Sequence, residues 1–267
     1  MEQTPKKVAL VTGASGGVGK AFARVLAERG YALLLTGRSL EKLQTIQREL
    51  EEKFTHTEIY VCVADLADEG GRVALNHEIE RLGLKISLLV NVAGMDIQKG
   101  FLAYTQDKIR LQCRTNFEGA VSLCHYALRH RAERLEILNI SSVSGLYPMP
   151  YFAIYSATKS ALTSFSVALR EELKNQNVAV TAVLPGAMPT REDIKEQIKG
   201  QGLWGKLAAK DPEWVAKQSL KAVAKNKRKY IPGFWNKVMR ITTAWLPESW
   251  RLRFIAKRWS KISKDAF

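Results

Sequence analysis

The chain has 267 residues, of which 46% are hydrophobic, and this length and composition suit a single α/β domain with a large core. Its three cysteines form no C-x-x-C pair, so we expect neither a disulfide framework nor a metal site, and we expect a reducing, cytoplasmic compartment. The first residues predict no signal peptide, no stretch of about 18 apolar residues predicts a spanning helix, and the net charge of +15 is unevenly distributed.

Short apolar runs alternate along the chain with segments whose apolar residues recur at helical spacing. The runs that predict strands lie at 8–11, 33–35, 59–63, 88–90, 137–140 and 178–184. Continuous apolar strands separated by helices indicate a parallel sheet covered on both faces. Right-handed crossovers then give a single-domain, Rossmann-type doubly wound α/β fold of about seven strands. We expect this domain to span 1–224 and to be followed by an extension over 225–267.

The first predicted strand leads into a glycine-rich turn, T-G-A-S-G-G-V-G, at 12–19. Between a strand and a helix, such a turn lets the backbone approach a pyrophosphate, while the helix N-terminus supplies N–H groups and a positive dipole. The alternative is a turn that is merely tight. The predicted cofactor contacts in this turn are Gly13, Ser15, Gly17, Val18 and Gly19. The spacing T-G-x-x-x-G-x-G resembles that of the short-chain dehydrogenase/reductase family.

Later segments resemble motifs of the same family in the same order, over about 11–190. These segments are N-V-A-G at 91–94, Asn116 in the next helix, S-S-V-S-G at 141–145, Y-S-A-T-K at 155–159, and P-G at 185–186 followed by Thr190. Val92 departs from the family's usual N-N-A-G. The resemblance implies that the cofactor is also bound by Asn91, Ala93, Gly94, Pro185, Gly186 and Thr190.

Tyr155 and Lys159 are separated by four residues and therefore share one helix face. A free tyrosine titrates near pH ~10, and a nearby positive charge is expected to lower that pKa so that the phenol can exchange a proton with substrate. Ser142 lies 13 residues before Tyr155, as in the family, and would hydrogen-bond the same substrate oxygen. The resemblance implies that Lys159 also binds the nicotinamide ribose and that Asn116 holds a water that relays protons. An Asn within a helix can alternatively be an ordinary polar surface residue.

The end of the second predicted strand indicates which cofactor is preferred. Thr36, Gly37 and Arg38 stand where an NAD-dependent site would place an acidic residue on the ribose. Arg38 can pair with a 2′-phosphate, so NADP(H) is predicted over NAD(H), with a solvated surface arginine as the alternative. Asp65 and Leu66 resemble the family residues that bracket the adenine, although Asp65 could instead be a helix N-cap.

These observations predict an oxidoreductase that moves a hydride between NADP(H) and a ketone or secondary alcohol. Apolar residues between 188 and 204 would cover the site and fit a hydrophobic substrate, 3-oxoacyl or steroid-like, but they equally fit packing of that segment. Ser142 and Tyr155 are the predicted substrate contacts. The alternative is a non-enzymatic NADP-binding scaffold or sensor that keeps the fold. The resemblance also implies a homodimer or homotetramer built on helices around 105–130 and 155–175.

The segment 225–267 differs in composition from the rest of the chain. It has 12 Lys/Arg against two acidic residues, a net charge of +10, and four of the six tryptophans. Leu252, Ile255, Trp259 and Ile262 form a seam at helical spacing among basic residues, and a short helix is expected before Pro247. Such a helix resembles an interfacial binder of anionic membranes. Alternatively the seam packs on the domain or on a second subunit. With no nucleic-acid motif present, a nucleic-acid partner is not expected. Because the catalytic set lies far upstream, we expect truncation after about residue 232 to spare turnover of a small ketone.

Overall fold

The computed structural model describes residues 7–200 and 207–260. In these ranges seven strands form one parallel sheet in the order β3-β2-β1-β4-β5-β6-β7. The strands are β1 (Val8–Thr12), β2 (Ala32–Gly37), β3 (Ile59–Val63), β4 (Ile86–Asn91), β5 (Arg131–Ile140), β6 (Val178–Val183) and β7 (Lys229–Tyr230). The predicted Rossmann-type doubly wound fold is therefore confirmed.

Helices connect the strands and cover the sheet. They are α1 (Gly17–Glu28), α2 (Leu40–Lys53), α3 (Glu69–Arg81), α4 (Gln106–Cys113), α5 (Gly119–Arg129), α6 (Ala153–Glu172), α7 (Glu192–Gly200), α8 (Pro212–Ala224), α9 (Phe234–Ala244) and α10 (Glu248–Trp259). A π-helical turn, Arg114–Glu118, joins α4 to α5. In the described ranges no helix is both long and apolar enough to cross a bilayer.

The core lies on both faces of the sheet. Alternate residues of β1 face opposite sides: Ala9 and Val11 pack with Phe22 of α1, while Val8 and Leu10 pack in the second cluster with Leu75 of α3. A strand that is buried on both sides needs apolar residues at every position, which explains the continuous apolar runs in the sequence.

The order in which strands are added to the sheet reverses at β1, which pairs with β2 on one side and with β4 on the other. In a doubly wound sheet the connections from these two strands leave in opposite directions, and a crevice opens at their carboxyl ends. The glycine-rich turn follows β1 and the N-V-A-G segment follows β4, so both motifs meet at this crevice.

Two features of the fold lie outside the predicted strand pattern. β5 begins at Arg131, earlier than its apolar run, and β7 has only two residues, which pair with Ala182 and Val183 of β6. β7 follows residue 224, where the sequence predicts that the domain gives way to the extension, so the sheet itself continues into that segment. Two tail helices, α9 and α10, flank Pro247 as the spacing predicts.

Thr12 ties the ends of β1 and β4 together beneath the crevice. Its side chain is fully buried, and its Oγ1 accepts hydrogen bonds from the backbone N–H groups of Val92 and Ala93, both at 3.0 Å. The first residue of the T-G-x-x-x-G-x-G motif therefore stabilises the frame of the crevice.

Replacing Thr12 with Val should lower the free energy of unfolding by about 1–3 kcal/mol, because the near-isosteric side chain leaves two partly buried N–H groups without an acceptor. Urea denaturation measures this loss. Thr12→Ser keeps the hydroxyl acceptor and should recover most of the stability. If Thr12→Ser is as unstable as Thr12→Val, packing of the methyl group is the cause and the hydrogen bonds are not.

Candidate active site

A cleft of about 790 Å³ opens at the carboxyl ends of the strands. Most of the residues predicted from the sequence line it. They are Gly13, Ser15, Gly17, Val18, Gly19, Arg38, Asp65, Leu66, Ala93, Gly94, Ser142, Tyr155, Gly186 and Thr190. The structure thus brings the glycine-rich turn and the Tyr155 region together in one site.

The glycine-rich turn is packed so closely that side chains at its glycines would clash with neighbouring backbone. Gly13 has φ +60°, and a Cβ there would lie 2.9 Å from the Cα of Ala93. A Cβ on Gly19 would lie 2.2 Å from the carbonyl oxygen of Gly13. α1 then begins at Gly17, and its N-cap, Gly16, makes no side-chain capping bond. A close-packed turn that ends at a helix N-terminus without a side-chain cap fits a pyrophosphate.

The carboxyl end of β2 presents a cation to the cleft. Arg38 is exposed and lines the cleft directly after β2, whereas Thr36 is buried. The alternative that Asp65 is a helix N-cap is wrong. The N-cap of α3 is Asp68, whose carboxylate accepts a hydrogen bond from the N–H of Gly71. Asp65 instead accepts from the Ala67 N–H at 3.0 Å in a turn at the cleft wall. The residues present therefore fit a nicotinamide dinucleotide.

Tyr155 and Ser142 line the other end of the cleft, and Lys159 is buried behind them near the Tyr155 ring. The Ser142 side chain lies within hydrogen-bonding reach of the Tyr155 hydroxyl. The Nζ of Lys159 lies 5.8 Å from the centroid of the Tyr155 ring and donates to the Ile140 carbonyl oxygen at 2.7 Å. Lys159 is only 4% exposed, so its charge acts in a site with little water to screen it.

The pKa of Tyr155 is not lowered in this structure, contrary to what its spacing from Lys159 predicts. Burial raises the pKa of the Tyr155 phenol above its ordinary value of 10, and the negative charge of Asp96 raises it further. The hydrogen bond from Ser142 and the charge of Arg191 act in the opposite direction and do not outweigh burial. Burial also lowers the pKa of Lys159 to about 8. The phenol is thus protonated at neutral pH.

Asn91 and Pro185, two of the predicted cofactor contacts, lie behind the cleft surface. Asn91 is buried, and its amide nitrogen donates to the Asn139 side chain at 2.8 Å, which joins β4 to β5. Pro185 accepts a hydrogen bond from the Val143 N–H through its carbonyl oxygen. The structure gives both residues a part in holding the cleft walls together.

Asn116 is buried in the π-helical turn, a feature often found at functional sites. Its amide accepts from the N–H of Met95 and donates to the Met95 carbonyl oxygen and to Thr158, at 2.8 to 3.1 Å. It is therefore not an ordinary surface residue. A Cβ on Gly94 would lie 3.2 Å from its Oδ1 and 3.3 Å from the Nζ of Lys159, so Asn116 and Lys159 border the same small space.

An ion pair that sequence reasoning missed spans the cleft. Arg191, just before α7, donates to the carboxylate of Asp96 at 3.3 Å, and both residues line the cleft. Both charges influence the Tyr155 phenol. Each lies near a recognised motif, but nothing in the local sequence indicates that 95 residues of chain fold so that they meet.

The tail also contributes to the cleft, although it lies far from the catalytic residues in the sequence. Met239 of α9 and Trp259 of α10 are cleft residues, and buried Asn236 packs against Gly186. Leu252, Ile255 and Trp259 of the predicted seam are half-buried, while Ile262 lies outside the described residues. The seam therefore packs on the domain, as one of the two alternatives from the sequence has it. Truncation after residue 232 would remove part of the cleft wall.

The chain matches the family model described as short chain dehydrogenase over residues 7–199. Among curated proteins it is 35% identical over 187 residues to human 17-beta-hydroxysteroid dehydrogenase type 3, covering 68% of this chain and 59% of that protein. It is 34% identical over 226 residues to the very-long-chain 3-oxoacyl-CoA reductase of Bos taurus, covering 82% and 69%.

The chain also resembles solved structures. A structure from a study of 7beta-hydroxysteroid dehydrogenase stereoselectivity superposes with a TM-score of 0.85 at 24% identity, covering 94% of this chain and 96% of that one. This similarity shows the fold. A short-chain dehydrogenase from Sphingobium yanoikuyae in complex with NADPH superposes with a TM-score of 0.75 at 25% identity, covering 98% of each chain. With the family model matching most of the sequence and the motif residues gathered in one cleft, the chain belongs to the short chain dehydrogenase family.

Proposed function

We propose that the chain is an NADP(H)-dependent reductase of hydrophobic ketones. The observation that supports this most directly is the convergence of Ser142, Tyr155 and Lys159 at the end of a cleft that begins at a glycine-rich turn. The same set works in reverse on a secondary alcohol. A non-enzymatic scaffold would need none of these three side chains in register.

Tyr155 is the proton donor in this mechanism. Its raised pKa keeps the phenol protonated at neutral pH, and the Ser142 hydroxyl is within hydrogen-bonding reach of the same position. NADPH, when bound, supplies the hydride to the carbonyl carbon. Tyr155 then gives its proton to the carbonyl oxygen as negative charge develops there, and Ser142 donates a hydrogen bond to that oxygen. The buried Lys159 ammonium stabilises the phenolate that is left behind.

Arg38 selects NADP(H) over NAD(H). It is exposed at the end of β2, where a 2′-phosphate would extend from the adenosine ribose, and its guanidinium can bind that phosphate with two hydrogen bonds. No carboxylate follows at positions 36–38 to repel the phosphate.

Beside the Asp96–Arg191 ion pair, much of the substrate end of the cleft is apolar. Its walls include Met188, Ile194, Ile198, Met149, Phe152 and Trp259. Such walls fit a steroid-like or long-chain 3-oxo substrate better than a sugar or a small polar ketone. The names of the hydroxysteroid dehydrogenase and 3-oxoacyl-CoA reductase relatives support the same substrate class.

The outer face of the two tail helices supports binding to an anionic membrane surface. Its apolar residues are 61% to 85% exposed: Phe234, Ile241, Trp245, Trp250 and Phe254. Exposed basic residues accompany them: Lys237, Arg240, Arg253, Lys257 and Arg258. Tryptophans beside cations are typical of helices that lie at the headgroup level. This face is distinct from the seam, which packs inward. Association into a dimer or tetramer stays a prediction.

Replacing Tyr155 with Phe should reduce turnover of a ketone by at least about a thousandfold, because only the transferable proton is lost, while NADPH affinity changes little. Steady-state kinetics and NADPH fluorescence titration measure the two effects. Tyr126→Phe, on α5 away from the cleft, should keep wild-type activity. Wild-type turnover in Tyr155→Phe would contradict the assignment of Tyr155 as proton donor.

Replacing Arg38 with Ala should weaken NADPH binding by about 1–3 kcal/mol, the scale of a charge-assisted contact, and leave NADH binding nearly unchanged. Calorimetric titration with both cofactors measures the difference. Arg48→Ala, an exposed arginine of α2 outside the cleft, should alter neither affinity. Equal losses for NADPH and NADH would mean that Arg38 does not recognise the 2′-phosphate.

The protein should bind phosphatidylglycerol vesicles at low salt, and the binding should weaken with salt without vanishing, because apolar burial is not screened. The double substitution Trp245→Ala and Trp250→Ala should weaken vesicle affinity roughly tenfold, or about 1.4 kcal/mol. Trp214→Ala on α8 is the matched control and should bind as the wild type. If the wild-type protein does not bind these vesicles at low salt, the outer face of the tail helices is not a membrane-binding surface.

A further inference from the structure

Three aromatic rings form a continuous stack at the substrate end of the cleft. Phe152 stacks on the Tyr155 ring, with centroids 4.4 Å apart and planes 28° apart. Trp259 also stacks on Phe152, with centroids 5.8 Å apart and planes 18° apart. The tail is thereby connected through one intervening side chain to the residue that transfers the proton.

Trp259 lies on the side of the cleft that the cofactor does not need. The glycine-rich turn, Arg38 and Asp65 come from the ends of β1, β2 and β3 and form one end. Tyr155, Phe152 and Trp259 lie toward the ends of β5 and β6. A molecule whose carbonyl oxygen meets Tyr155 and Ser142 therefore extends its remaining atoms toward the Trp259 side.

The packing of Trp259 suits an apolar wall of the cleft. Phe152 is buried at 8% exposure and holds one face of the indole, while Trp259 keeps part of its surface in the cleft. A Trp side chain offers a large contact area with little conformational freedom to lose on binding. Because Phe152 contacts both the Tyr155 ring and the Trp259 ring, we expect a small ketone held at Tyr155 to fall short of the indole and a fused-ring or long-chain ketone to reach it.

We propose that Trp259 is a specificity-determining residue, which favours ketones with a large apolar body by contacting the part of the substrate farthest from the carbonyl. This inference rests on the reductase function proposed above and names the residue that sets its substrate class. The tail is then part of the substrate site as well as a candidate membrane surface, with different residues of α10 serving the two roles.

The test compares kcat/KM for a steroid ketone with kcat/KM for cyclohexanone in the full-length protein. Trp259→Ala should lower the steroid-to-cyclohexanone ratio at least tenfold, mainly through a higher KM for the steroid. NADPH affinity and kcat on cyclohexanone should stay near wild type. Trp259→Phe keeps an aromatic ring against Phe152 and should restore most of the ratio. Trp214→Ala is the control for loss of a tryptophan outside the cleft and should leave the ratio unchanged.

The outcomes separate this inference from the proposed function. If the wild-type protein reduces neither ketone, the proposed reductase function is wrong. If the wild type reduces both and Trp259→Ala lowers both values equally, Trp259 only supports Phe152 and Tyr155, and the specificity role is overturned. An unchanged ratio in Trp259→Ala overturns it as well. Thermal unfolding and NADPH titration show whether each variant is folded. If Trp259→Ala does not fold, Trp259→Phe provides a more conservative substitution.

Discussion

The attachment of α6 to the end of β5 is the constraint on which the active site depends. The Ser141 hydroxyl donates to the carbonyl oxygen of Lys159 at 2.7 Å and lies 2.7 Å from the Thr163 hydroxyl. Gly145 lets the chain pass so close to α6 that a Cβ there would lie 2.7 Å from the Lys159 backbone. Because Tyr155 and Lys159 lie on this helix and Ser142 follows β5, these contacts fix all three side chains relative to the sheet.

The same attachment explains the electrostatics of the site. Packing α6 against β5 removes the Tyr155 phenol and the Lys159 ammonium from water, and loss of hydration disfavours the charged form of each group. The phenol therefore keeps its proton, and the ammonium depends on the Ile140 carbonyl oxygen for part of the solvation that it has lost.

The sheet and most of the cleft could be predicted from the sequence because their signals are local. Strands buried on both faces need unbroken apolar runs, and a turn in which a Cβ on Gly19 would meet the Gly13 carbonyl oxygen needs glycine. β7 could not be predicted, since two residues form no pattern and pair only because β6 presents an edge. The proximity of Trp259 to Phe152 and the raised pKa of Tyr155 depend on contacts between distant segments, which no local pattern records.

The buried amide contacts also divide the molecule into parts of unequal rigidity. Asn139 accepts from Asn91 and donates to Ser166, so separating β4, β5 or α6 would leave buried polar groups without partners. These elements should therefore exchange their amide hydrogens slowly and as one cooperative unit. α10 has no fully buried residue, so it should open at much lower free energy. The side of the cleft formed by α10 is therefore expected to open more readily than the side formed by β4, β5 and α6.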